Sequence, residues 1–312
     1  MRVLVTGGAG FIGSHVAEAF ANRGDTVTVV DDLSHGQQAR LSTDMALVKM
    51  SLHDAHGLAA LVESSRPDLI CHLAAQIDVR ASVLDPAEDA QANVVGTVNV
   101  IEAARVSGAR MIFASSGGAL YGRDAMVPSP EGAPTLAESP YGVAKLCAEH
   151  YISLDNRMRG ARHSVLRLAN VYGPRQDPAG EAGVVAIFCS RVLAGQQPVI
   201  YGDGSQTRDY VYVGDVARAF IAAADSGRPG SWNIGTGRET TVLELAAAIG
   251  AAAGRPATPE FTAERPGELR RSAVAPGLAA AELGWRAHVS LPAGLQRVLQ
   301  WIRDGAAPGA GC

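Results

Sequence analysis

Apolar residues follow two rhythms along the first half of the chain. Short runs at 2–6 (RVLVT), 26–31 (TVTVVD), 68–74 (DLICHLA), 110–115 (RMIFAS) and 163–168 (HSVLRL) are almost wholly apolar, as strands covered on both faces are. Between them, residues 11–24, 56–65, 90–108 and 141–160 carry apolar positions three and four apart, the spacing of helices with one buried stripe. This alternation predicts an α/β fold built on a doubly wound parallel sheet. After Leu168 the rhythm breaks. Residues 169–183 are rich in Gly and Pro, mixed short elements follow, and a last amphipathic helix is predicted over 291–304. The pattern divides the chain into a domain over 1–168 and a smaller mixed α/β lobe over 169–312 that caps the strand ends. Segments around 205–225 are expected to return to the first domain.

The join between the first strand and helix narrows the fold. Gly7, Gly10 and Gly13 fall there, in TGGAGFIGS. One glycine permits a tight turn, one lets a pyrophosphate approach the backbone, and one allows close helix–sheet packing, with the helix N-terminus facing the phosphates. The second strand ends in Asp31, whose carboxylate can accept from both hydroxyls of an adenosine ribose and would repel a 2′-phosphate. Together these predict a Rossmann domain that binds NAD rather than NADP.

Composition mainly excludes. The chain has 312 residues, 47% hydrophobic, with a net charge of −4, and no basic run longer than Arg270-Arg271, so nucleic acid is a poor fit. No apolar stretch approaches the ~18 residues of a membrane span, and no leader precedes the first strand, so a cytoplasmic location is expected. Cys71, Cys147, Cys189 and Cys312 are widely spaced and are expected to be reduced thiols. His53 and His56 have no third ligand at useful spacing, and no metal is expected. The tail GAAPGAGC, from 305, is expected to fray.

Lysine is scarce: only Lys49 and Lys145 occur, against 27 Lys and Arg together. Lys145 lies one helical turn after Tyr141 and shares its face. Half-ionising a tyrosine near neutrality requires about three pKa units, or ~4 kcal/mol. An ammonium and a cationic nicotinamide ring could supply this, and a compact lysine charge suits the task better than arginine's broad fork. Tyr141 is therefore the expected base, with Lys145 its electrostatic partner and a holder of the ribose hydroxyls.

TGGAGFIG and the YxxxK pair resemble the extended short-chain dehydrogenase/reductase superfamily, over Val3 to about Arg303. The resemblance implies coenzyme contacts from Gly7, Gly10, Phe11, Ile12, Gly13, Asp31, Asp32, Ser34 and Gly36. It implies further contacts from Ser51, Leu52, Leu73, Ala74, Ala75, Gln76, Asn93, Ser115, Tyr141 and Lys145. Ser51 stands where that family usually has an acid for the adenine. Gly117 stands where it usually has a catalytic Ser or Thr. Ser116 is then the expected third catalytic group and Ser115 the alternative; if neither reaches, a water or Tyr141 alone must serve.

In the second lobe, LRLANVYGPRQDP, IYGDGSQTRDYVYVGDVA and ERPGELRRS resemble segments that bind nucleoside diphosphate sugars. They imply substrate contacts from Asn170, Tyr201, Arg208, Arg265 and Glu268, beside Ser116, Gly117, Tyr141, Val184 and Val185. Two arginines suit a dianionic bridge. Dehydratases of the superfamily have an acid pair where this chain has Gly118 and Ala119, so elimination of water is disfavoured. The resemblance then implies NAD-dependent 4-epimerisation of a UDP-sugar of the UDP-glucose/UDP-galactose type, in a homodimer. UDP-glucuronate as substrate, with Arg80 or Arg175 meeting its carboxylate, remains open, as do decarboxylation of that sugar and a non-catalytic NAD-binding regulator.

Overall fold

The computed structural model describes residues 1–179, 183–265 and 267–305. The expected fraying of the tail concerns residues 306–312, outside that range. In chain order the first part comprises β1 (Arg2–Thr6), α1 (Phe11–Asn22), β2 (Thr26–Asp31), β3 (Ala46–Lys49), α2 (Ala55–Ser65), β4 (Leu69–His72), α3 (Val79–Leu84) and α4 (Pro86–Ala90). There follow a π turn (Gln91–Val95), α5 (Gly96–Ser107), β5 (Arg110–Ser116), α6 (Gly117–Leu120), α7 (Pro140–Arg159) and β6 (Ser164–Leu168). The second part comprises β7 (Asn170–Tyr172), α8 (Val184–Leu193), β8 (Val199–Tyr201), β9 (Thr207–Arg208), β10 (Tyr210–Tyr212), α9 (Val213–Ser226) and β11 (Gly230–Ile234). It ends with β12 (Thr240–Thr241), α10 (Val242–Ala253), β13 (Glu260–Thr262), β14 (Arg271–Ser272), α11 (Gly277–Glu282) and α12 (Leu291–Arg303).

Seven strands form one parallel sheet in the order β11-β6-β5-β4-β1-β2-β3. Successive residues of each strand serve opposite faces. Val3 and Val5 pack with Val16 and Phe20 of α1 and Val216 and Phe220 of α9. Leu4, between them, packs with Leu58 and Val62 of α2 and Val100 of α5. The predicted strands and helices stand within a residue or two of their expected ends, except that the expected 90–108 helix opens as the π turn running on from α4.

Two strands of the sheet have no counterpart in the apolar pattern. β3 is an edge strand with every side chain at least partly exposed, and β11 begins with Gly230-Ser231, so neither shows a continuous apolar run. β11 nevertheless pairs with β6 from Gly230↔Ser164 to Ile234↔Leu168, and α9 packs against α1. A second core joins α8, α10 and α12 through Phe188, Leu245, Ile249, Leu295 and Leu299.

The strand order reverses direction between β1 and β4. A crevice opens there beyond the carboxyl ends of the strands, where ligands of such sheets bind. The glycine turn follows β1 and residues 73–78 follow β4, so both line this crevice.

Candidate active site

The glycine turn is set by contacts that exclude a side chain. Gly7 has φ +69°, and a Cβ there would lie 2.5 Å from the Ala74 nitrogen; one on Gly13 would lie 2.0 Å from the Gly7 carbonyl oxygen. Gly10 caps α1 without a side-chain hydrogen bond, which leaves the first N–H groups of the helix to face an anion. Asp31, at the end of β2, is buried and accepts from the N–H of Ala9 at 3.0 Å and of Leu33 at 2.9 Å. Burial pushes its carboxyl up, against the pull of these N–H groups. Gly36 is pressed against that carboxylate, since a Cβ there would lie 2.4 Å from Oδ1. The turn and acid together fit a dinucleotide: a side-chain-free cradle for phosphates, with a carboxylate at the tip of the next strand.

Neighbouring candidates divide. Phe11 is buried in the second core, with Ile12 packed partly against it, so their side chains support the turn. Asp32 is exposed and accepts from Ser34 Oγ at 2.6 Å in a local turn beside Asp31. Ser51 Oγ accepts from the His53 N–H, and Leu52 packs over Gly96. Leu73 and Ala74 hydrogen-bond Thr6, which brings the strand ends together, and Ala75 and Gln76 continue that loop. Asn93 is buried and donates from Nδ2 to the Gln76 carbonyl at 3.0 Å and to Asp89 Oδ1 at 2.9 Å. Its side chain therefore holds the loop.

The expected catalytic residues converge. Ser139 caps α7 by accepting from the Gly142 N–H, Pro140 fills the first turn, and the Tyr141 N–H donates to Ser82 Oγ at 3.2 Å. The Ser116 hydroxyl lies close enough to the Tyr141 phenol to favour its ionised form. Lys145, buried on the same face, donates to the Ala114 carbonyl at 3.2 Å and lies 4.7 Å from the Phe113 ring centre and 5.8 Å from that of Tyr141. Ser115 faces the other way and donates to Glu149 Oε1 at 2.6 Å, so Ser116 is the serine that meets the tyrosine.

The electrostatics depart from expectation. A depressed phenol was expected beside Lys145. Instead burial pushes Tyr141 up to about 12, with the charge of Asp89 adding to the rise and the Ser116 hydrogen bond opposing it. Burial likewise brings Lys145 down to about 8, opposed by Asp89 and Glu149. A cationic ring beside Tyr141 would act in the direction the chemistry requires.

Gly117 and Gly118 explain the missing hydroxyl. A Cβ on Gly117 would lie 2.6 Å from Val274 and 3.2 Å from the Arg167 carbonyl oxygen, so this residue faces the interior and contributes no side chain to a sugar pocket. Gly118 faces the opening: around its missing Cβ stand Asn170 Oδ1 at 3.7 Å, Ser272 Oγ at 3.8 Å and Ser116 Oγ at 4.0 Å. Leu269 lines this hollow and a second one beside Tyr201, Gln206 and Glu268.

Behind the residues that line that second hollow, Arg208 donates to Glu268 Oε1 at 3.0 Å and to the Leu269 carbonyl at 2.8 Å, while Arg265 stacks 3.6 Å from the Tyr201 ring centre. Four further candidates make contacts of their own. Arg175, at φ +70°, pairs with Glu18 at 2.7 Å and reaches Ser14 on α1, so it belongs to the glycine-turn side and does not face the sugar hollow. Arg80 is exposed and paired with Asp78 at 2.9 Å. Val185 is buried in the second core with Val184 packed against it, so these side chains build α8.

Sequence reading missed Asp89, Ser82, Glu149 and Arg167. The last two form a buried ion pair at 2.7 Å between α7 and β6. Only the i,i+4 spacing of Asp89 and Asn93 was a signal available in advance. His72 is packed between Thr6, at 2.7 Å, and Thr97, at 3.0 Å, as expected of a strand-end residue in the core. Among the described residues no helix is long and apolar enough to cross a membrane.

Residues 3–235 match the NAD dependent epimerase/dehydratase family. A UDP-glucose 4-epimerase of Mycolicibacterium smegmatis is 45% identical over 311 residues, covering 97% of this chain and 99% of its own. The crystal structure of a Thermotoga maritima UDP-glucose 4-epimerase with UDP-glucose superposes with a TM-score of 0.96 at 42% identity, covering 98% of this chain and all of that one. A Thermus thermophilus UDP-glucose 4-epimerase in complex with NAD gives a TM-score of 0.92 at 41% identity, with both chains fully covered.

Proposed function

The chain belongs to the NAD dependent epimerase/dehydratase family, and we propose that it interconverts UDP-glucose and UDP-galactose by transient oxidation at C4 of the sugar. The observation that carries this reading is the grouping of Ser116, Tyr141 and Lys145 beside Gly118, a glycine where a dehydratase would need an acid. The glycine turn, Asp31 and Lys145 would hold NAD, which would supply a reversible hydride acceptor. Tyr141 Oη takes the C4 hydroxyl proton and returns it after the 4-keto sugar has turned over. Ser116 orients that hydroxyl, and Lys145 keeps a positive charge beside the phenolate. Gly118, where a dehydratase would carry an acid, is bordered by oxygens of Asn170, Ser272 and Ser116, which disfavours elimination of water. Asn170, Arg208 and Arg265 are assigned to the diphosphate and Tyr201 and Glu268 to the nucleoside.

Arg80 is paired with Asp78 and Arg175 with Glu18, which favours a C5 hydroxymethyl over a carboxylate. We also assign a homodimer, since Val143, Tyr151, Leu154 and Met158 of α7 lie exposed at near-helical spacing beside exposed Val83 and Leu84 of α3. A cytoplasmic setting suits the free thiols of Cys71, Cys147 and Cys189.

The purified protein, given UDP-glucose without added NAD, is expected to form UDP-galactose. Turnover of UDP-glucuronate alone would reassign the substrate, and turnover of neither would favour a non-catalytic NAD-binding role.

A further inference from the structure

Beside the catalytic pair lies a carboxylate that no step above uses. Asp89, on α4, is 1% exposed. Its Oδ1 accepts from Gln76 Nε2 at 2.8 Å and from Asn93 Nδ2 at 2.9 Å, whereas its enclosed Oδ2 has no hydrogen-bond partner. Burying a charge is costly, and an amide could have bridged Gln76 and Asn93 at less expense. The charge itself needs a reason.

The surrounding charges supply one. From α7, Tyr141, Lys145 and Glu149 face this region. Glu149 is already paired with Arg167 at 2.7 Å. From α3, Asp78 is paired with Arg80 at 2.9 Å, and on α4 itself Asp85 and Glu88 are exposed. The π turn Gln91–Val95 contributes no ionisable side chain. Asp89 thus acts on the catalytic pair with its charge uncancelled by a hydrogen-bonded cation. It favours the Lys145 ammonium and disfavours the Tyr141 phenolate. Lys145 in turn pulls the Asp89 carboxyl down, although burial dominates and pushes it up.

We infer that Asp89 is a positioning residue of the active site, fastening Gln76 and Asn93 beside the catalytic helix and keeping Lys145 cationic while Tyr141 exchanges its proton. A buried lysine beside a cationic ring would otherwise lose its proton, and with it the charge that supports the phenolate. The inference rests on the epimerase reading above.

Asp89→Asn keeps the size and one acceptor and removes the charge. Losing an anion lowers every pKa nearby, so both limbs of the pH profile of kcat for UDP-glucose should move to lower pH, by about one unit. The limbs belong to the coupled Tyr141/Lys145 pair rather than to either residue alone. Asp89→Glu, which restores the charge, should return the limbs to their unsubstituted positions even where the rate stays low. A slower Asp89→Asn enzyme with unmoved limbs, or limbs moved to higher pH, overturns the inference. If that variant does not fold, the carbon-13 signal of the Asp89 carboxyl in the unsubstituted protein decides: an ionised group at neutral pH is expected, and a protonated one overturns the proposal. Absence of turnover by the unsubstituted protein would count against the epimerase reading instead, with the carboxyl signal still deciding for Asp89.

Discussion

Ser115 and Ser116 are adjacent hydroxyls with opposite duties. Ser116 acts on the Tyr141 phenol, and Ser115 donates to Glu149 in the buried layer behind it. Ser116→Ala should lower kcat with little change in melting temperature. Ser115→Ala should leave chemistry nearly intact and lose about 1.5–3 kcal/mol of stability, the usual value of a hydrogen bond to a charged group. Tyr141→Phe should retain NAD and lose about 10²- to 10⁴-fold in rate, the usual contribution of a positioned acid–base group; steady-state kinetics and the absorbance of released dinucleotide check both halves. The tyrosine and lysine were legible because they sit at a fixed spacing on one helix, whereas Ser116 was legible only as one of two serines beside Gly117, where the usual hydroxyl is missing. Asp89 and Glu149 were not, since their roles depend on α4 and β6 meeting α7. The rise of the Tyr141 pKa was equally hidden: sequence shows which charges are near in the chain, not how deeply the phenol is enclosed.

At the scale of elements, the site depends on two joints. The first is the closeness of the glycine turn to the loop after β4. Gly7→Ala would force a Cβ into backbone at 2.5 Å and an L residue into a left-handed conformation. The purified variant should therefore carry little NAD, measured as dinucleotide released on denaturation. The second joint is the Glu149–Arg167 pair, with Arg167 also donating to Tyr121 Oη at 2.9 Å and to the Glu131 carbonyl at 3.1 Å. Glu149→Gln leaves a buried guanidinium without its anion and should cost about 3–5 kcal/mol, read by denaturant unfolding. Helix α7 itself was legible over 141–160 from its apolar spacing, and its start at Ser139 and Pro140 emerges from the structure. β11 was not, because a strand opening with Gly-Ser is recruited by pairing with β6 rather than by its own pattern.

The whole molecule joins a sheet with two covered faces to a second core, and sets Tyr141 beside Ser116, which borders Gly118. If the exposed α7 stripe pairs two copies, Leu154→Asp should shift the protein to monomers in sedimentation experiments, while UDP-glucose turnover per chain falls only as far as α7 loses support. The central claim is that one carbon–hydrogen bond is broken and remade on the same atom. UDP-glucose incubated with the protein in heavy water, without added dinucleotide, tests it most directly by proton NMR. UDP-galactose should appear with its original hydrogen at C4 and no deuterium in the ring; product deuterated at C4 or C5, or no product, would contradict the account.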